Sequence, residues 1–133
     1  MGTTVNILKA THKAAANLLG QIESSTGQGK VDTLNTLKEA LLAHVGEENR
    51  IVKEAVGKPN ATESFKSSAQ NFVNELDALA KKALLPFFNK YSSASLVNSP
   101  DFSKDFQGIK KALADRIAYE ESNFYPELEK AGY

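Results

Sequence analysis

The stretch Leu41–Val52, LLAHVGEENRIV, decides how the chain is read. Around it Leu34, Leu37, Leu41, Val52 and Ala55 keep the three-and-four spacing of an amphipathic helix with one face turned to a core. His44 and Glu48 fall on that same stripe, where the spacing calls for apolar side chains. A helix that aims an imidazole and a carboxylate at its own core must give them partners, because an unpaired polar or charged group is expensive to bury.

The same period runs outward along the chain. A first helix is expected over residues 4–23, with Val5, Leu8, His12, Ala15, Leu19 and Ile22 as its inner stripe, ended by the turn SSTGQGK. The helix containing the opening stretch is expected over residues 31–56, stopped by Gly57 and Pro59. A third opens at Asn60, read as a cap with Glu63 reaching back, and carries Phe65, Phe72, Leu76, Leu79 and Leu84. Pro86, inside the apolar run LLPFF, is expected to kink or break it. After the loop YSSASLVNSP a fourth helix starts near Pro100, with Phe102, Phe106, Ile109, Leu113, Arg116 or Ile117, Glu120 and Phe124 on its stripe. Pro126 then kinks it or starts a last turn. Four long amphipathic helices with short connections predict an all-α, antiparallel up-down-up-down four-helix bundle, a single domain over residues 1–133.

Bulk properties narrow the function. The 133 residues carry 16 basic and 16 acidic side chains, so no net field favours nucleic acid or an anionic membrane. There is no cysteine, which removes disulfides, thiolate metal sites and cysteine nucleophiles. No apolar run approaches the roughly 20 residues that span a bilayer, and no secretory leader is legible, so a cytoplasmic protein is expected. No glycine-rich phosphate loop or nucleophile elbow points to an enzyme. A protein partner is compatible with this composition, and the oligomeric state is not legible.

The polar interruptions carry the chemistry. His12 breaks the first stripe, His44 and Glu48 the second, and Arg116 with Glu120 the fourth. Both histidines of the chain therefore lie on inner faces. His44 and Glu48 are one helical turn apart, about 6 Å along the axis, so both reach one point. This is how helical bundles build carboxylate–histidine metal sites. Arg116 and Glu120 repeat the same four-residue spacing with arginine in place of histidine. Tyr119, Phe124 and Tyr125 read as core or rim packing, a tyrosine hydrogen-bonded to a metal-bound carboxylate being the alternative.

ILKATHKAAANLLGQIE, LKEALLAHVGEENRIVKEA and LADRIAYEESNFYPELEKAG, in that order, resemble the first, second and last helices of the hemerythrin-like (HHE cation-binding) family, four-helix bundles that hold a non-haem di-iron centre. The resemblance implies His12, His44 and Glu48 as metal ligands, with Glu120 or its neighbour Glu121 as the bridging carboxylate of the last helix. It also implies that the second iron takes histidines from helices three and four. Here the third helix has none, and Arg116 stands where the last helix of the family has its histidine.

A complete two-iron centre and reversible dioxygen carriage are therefore not expected. What remains is a half-site for one Fe, Mn or Zn ion, or none. Arg116 is expected to fill the missing half by bridging Glu48 and Glu120. The family implies roles in oxygen or nitric oxide response, metal handling or oxidative stress. Two other readings compete. One is a metal-free interaction bundle whose Arg–Glu–His network is a remnant. The other is a histidine phosphotransfer module, disfavoured because Glu47 and Glu48 would repel a phosphoryl group on His44.

Overall fold

Helix α1 (Thr3–Ser24) buries Val5, Leu8, His12, Ala15, Leu19 and Ile22, the stripe that the spacing predicts. A computed structural model describes residues 3–133, and among these the chain is all-helical, with no strand. α2 (Gly27–Val56) follows after only two residues. The expected seven-residue turn contracts because Gly27 takes φ +56°, a left-handed conformation that reverses the chain without a Cβ clash. Ser25 closes the preceding helix, its backbone N–H donating to the Ile22 carbonyl at 3.3 Å and its hydroxyl to the Gln21 carbonyl at 2.6 Å.

α3 (Glu63–Leu79) starts later than expected, and its cap is Thr62 rather than Asn60. The Thr62 hydroxyl accepts from the Phe65 backbone N–H at 3.0 Å, while residues 57–61 form a turn in which the Ala61 N–H reaches the Lys58 carbonyl. α3 does not break before Pro86. A π-helical turn, Ala80–Leu84, joins it to α4 (Leu85–Lys90). The Leu85 N–H bonds to the Ala80 carbonyl, five residues back, and the widened turn absorbs the missing proline N–H and its ring. A short helix α5 (Ala94–Val97) interrupts the following loop and buries Val97. The second proline is accommodated in the same way: α6 (Pro100–Tyr119) passes through a π turn, Glu120–Phe124, into α7 (Tyr125–Lys130), with the Tyr125 N–H bonded to the Glu120 carbonyl.

The described residues thus form four long helical stretches, α1, α2, α3–α4 and α6–α7, plus the short α5. None of the described helices is long and apolar enough to cross a membrane. Apolar side chains collect in two clusters. One includes Val5 and Leu8 of α1, Ile51 and Val52 of α2, Phe72 and Leu76 of α3, and Phe124, Tyr125 and Leu128. The other includes Ala15, Leu19 and Ile22, then Leu34 and Leu37, then Leu84, Phe87 and Phe88, and finally Phe102, Phe106 and Leu113. Each long stretch contributes to both. At the changeover α1 carries His12, α2 carries His44 and Glu48, and the last stretch carries Arg116 and Glu120, whereas the buried residues of the third stretch there, Leu76, Ala80 and Leu84, are apolar. The polar groups are therefore flanked on both sides by apolar side chains, which lower the local dielectric and strengthen every charge interaction among them.

Candidate metal centre

His12, Glu48 and Glu120 are buried, and the His44 side chain is 9 % exposed. One ligand atom from each of these four lies within 4.8 Å of all the others. His12 Nε2 is 2.8 Å from Glu120 Oε1 and 3.2 Å from His44 Nε2. His44 Nε2 is 3.1 Å from Glu48 Oε1 and 3.4 Å from Glu120 Oε1. Bonds of ~2.1 Å to one ion put neighbouring donors ~3.0 Å apart in an octahedron and ~3.4 Å apart in a tetrahedron. Three of these four spacings fall in that range, and the His12–Glu120 contact of 2.8 Å lies just below it.

The outer nitrogens determine what the inner ones present. Glu121 Oε2 lies 2.7 Å from His12 Nδ1, and a carboxylate can only accept, so Nδ1 carries the proton. Thr11 commits its single hydroxyl proton to the Leu8 carbonyl at 2.6 Å. It therefore accepts from His44 Nδ1, also at 2.6 Å. In their neutral forms both imidazoles consequently aim an Nε2 lone pair inward, at each other and at two carboxylates. Glu48 Oε1 is buried without a hydrogen-bond donor in correct geometry, although His44 Nε2 is close. Four convergent lone pairs and an orphaned carboxylate oxygen fit a cation. Anchoring the outer nitrogen of a histidine to a carboxylate or hydroxyl is the arrangement that orients metal-ligating imidazoles. Two imidazoles and two carboxylates suit Fe, Mn or Zn.

Without a cation the cluster must hold an extra proton. Desolvation, the largest influence on His44, opposes its charge, but Glu120 and Glu48 outweigh it and push the pKa up to about 9. His12 is raised too, desolvation again being overcome by its bonds to Glu120 and Glu121. Burial and the Glu120 charge raise Glu48, whereas the two histidines hold Glu120 low against its own desolvation.

Three residues sit differently from the sequence-based expectation. Arg116 does not bridge the two buried glutamates. Its Nε donates to Glu120 Oε2 at 3.1 Å, its Nη2 to the Phe72 carbonyl at 2.9 Å, and its Nη1 is 3.7 Å from Glu75. The guanidinium is held over the Phe72 ring, 4.4 Å from its centroid, which turns it towards α3 and away from Glu48. Glu121, 37 % exposed, lies outside the four-residue group and acts on the far nitrogen of His12. Tyr125 is more than packing. Its hydroxyl donates to Glu48 Oε2 at 2.7 Å and lies 3.0 Å from Glu120 Oε1 and 3.1 Å from His12 Nε2.

The π turn explains why the helical wheel passes over Tyr125. Five residues make about 500° in an α-helix, which puts Glu120 and Tyr125 on different faces. The wider turn brings positions five apart together, so both point into the cluster. Pro126 is the one sequence signal of that turn. Beside the cluster, on the α3 side, a cavity of about 40 Å³ is lined by Leu76, Leu79, Leu84, Leu113 and Arg116, among others.

The described residues form an all-helical chain that brings two histidines and two glutamates together between its helices, a donor set of the kind that metal ions take. The hemerythrin HHE cation-binding domain model matches residues 3–128, nearly the whole chain. The chain belongs to the hemerythrin HHE cation-binding family. Neither the curated proteins nor the solved structures contain a match to it.

Proposed function

We propose that this protein holds a single transition-metal ion, Fe, Mn or Zn, at His12, His44, Glu48 and Glu120, and acts in metal handling, sensing or stress response rather than as an enzyme. The observation that carries this reading is the convergence of one donor atom from each of His12, His44, Glu48 and Glu120, with the outer nitrogen of each imidazole bonded to Glu121 or Thr11. In this reading the second half of a di-iron site is lost. Its place beside the cluster is taken by Arg116 and a cavity that borders His12, His44 and Glu120 but adds only apolar side chains such as Leu76, Leu79, Leu84 and Leu113 on its other walls, with no further histidine or carboxylate for a second ion. The bound ion would supply positive charge and open coordination chemistry, while Thr11, Glu121 and Arg116 orient the groups around it.

The antiparallel up-down-up-down arrangement belongs to the same proposal. Each long stretch runs between the two apolar clusters in the sense opposite to the one before it, which supports that order. A cytoplasmic location and a protein partner complete the proposal.

Elemental analysis of protein produced with iron, manganese and zinc tests the metal reading. About one ion per chain is expected, and less than about 0.2 in every condition refutes it, since a closed four-ligand site fills. His44→Ala should reduce bound metal to roughly a tenth of the wild-type content. The competing reading is a metal-free network in which a protonated His44 bridges Glu48 and Glu120. The raised His44 pKa favours it, and low metal content would select it.

A further inference from the structure

Resting on the metal reading above, we propose that Tyr125 is a fifth ligand: its phenolate oxygen completes a two-histidine, two-glutamate, one-tyrosine shell suited to a ferric ion. The hydroxyl oxygen is 3.0 Å from Glu120 Oε1 and 3.1 Å from His12 Nε2. Those are the edges of the same polyhedron that the histidines and glutamates outline, ~3.0 Å for octahedral bonds of ~2.1 Å. A tyrosine that served only to orient a carboxylate would sit behind the ligand, as Glu121 does on the Nδ1 side of His12. Tyr125 instead touches two of the converging ligand atoms themselves, Nε2 of His12 and Oε1 of Glu120, besides donating to Oε2 of Glu48.

The π turn aims it there. Residues Glu120–Phe124 form the widened turn, and the ring of Tyr125 stacks against His12 with centroids 5.5 Å apart and planes 11° from parallel. Its side chain is fully buried, so it has no alternative hydration to compete with coordination.

Charge favours the trivalent ion. Two carboxylates and a phenolate carry three negative charges, the neighbouring charges of Arg116 and Glu121 offset each other, and the balance matches Fe(III) in an interior where unbalanced charge is costly. Hard anionic oxygen donors also suit the hard ferric ion better than the softer divalent metals. On binding, the phenol O–H bond breaks, an oxygen–iron bond forms, and the proton passes to solvent. Iron enters and remains ferric, so no oxidant is consumed.

The test adds Fe(III), supplied as its citrate complex, to chelator-treated full-length protein, and reads bound iron, visible absorption and resonance Raman scattering together. Expected are one iron per chain, a visible tyrosinate-to-iron charge-transfer band growing in proportion to bound iron, and tyrosinate ring vibrations enhanced on excitation in that band. Tyr125→Phe should lose the band and weaken iron binding by roughly tenfold or more. Tyr91→Phe, Tyr119→Phe and Tyr133→Phe should each keep the band. Bound ferric iron without it, or a band abolished by one of those three variants, overturns the proposal even if Tyr125→Phe fails to fold. Uptake of Mn or Zn without any ferric iron also overturns it and leaves the metal reading standing. Uptake of no metal at all overturns both.

Discussion

Replacing Arg116 by alanine isolates the interaction that ties the last helical stretch to α3. The side chain is 10 % exposed, and its Nε donates to Glu120 Oε2 while its Nη2 donates to the Phe72 carbonyl. Removing one partner of a buried ion pair costs about 3–5 kcal/mol. The low end applies here, because His12, His44 and Tyr125 still surround the other oxygen of Glu120. The lost contact with the Phe72 ring adds roughly 0.5–1 kcal/mol. These contributions share one side chain and do not simply add, so a loss of about 3 kcal/mol is expected, equivalent to roughly 10 °C in Tm for a domain of this size. Urea unfolding of chelator-treated protein, followed by circular dichroism, is the assay. Chelation matters because a bound ion would add its own binding free energy to the apparent stability. Arg116→Lys should lose less, about 1–2 kcal/mol, because an ammonium can reach Glu120 but cannot span Glu120 and the Phe72 carbonyl together. A midpoint for Arg116→Ala within about 0.5 kcal/mol of wild type would refute the reasoning and mean that the guanidinium is solvated.

Other consequences can be checked alongside. Because the folded pKa of His44 lies at about 9, above the ordinary 6.5, its stabilisation of metal-free protein is fully present below pH 6.5 and disappears as pH rises through 9. That displacement corresponds to a loss on the order of 3 kcal/mol relative to His44→Gln, and an unchanged difference between the two proteins from pH 6 to 10 would contradict it. Glu121→Gln should retain metal stoichiometry but weaken binding by roughly 10–100-fold, measured by competition with a chromogenic chelator, since it orients His12 rather than joining the ion. Thr62→Ala should lower stability by about 1 kcal/mol, and Asn60→Ala by less than about 0.5, which unfolding midpoints will separate.

Much of the helical layout is visible in the residue order because burial in a helix imposes a period. The stripe of α1 coincides with the expected one residue for residue, and Phe102, Phe106, Ile109 and Leu113 do the same in α6. Errors fell where backbone details compete with propensity. The α1–α2 turn depends on one glycine taking a positive φ, and the start of α3 depends on whether Asn60 or Thr62 reaches an open N–H. Pro86 was read as a kink or a break and Pro126 as a kink or the start of a last turn, and in both places a widened turn carries the helix on past the proline. Thr11, exposed and ordinary in sequence, gave no sign of its role, because its hydrogen bond to His44 joins residues 33 apart.

By itself the sequence determined that polar residues would meet an apolar interior: His12, His44, Glu48 and Glu120 sit on inner stripes whatever the helices' exact packing. Periodicity carries that information locally. Only the tertiary structure decided which of these groups face one another, which way Arg116 turns, and that Tyr125 joins them. The reason is geometric. Partnership depends on helix rotation and spacing to within an ångström or so, and a single π turn changes the rotation of everything after it.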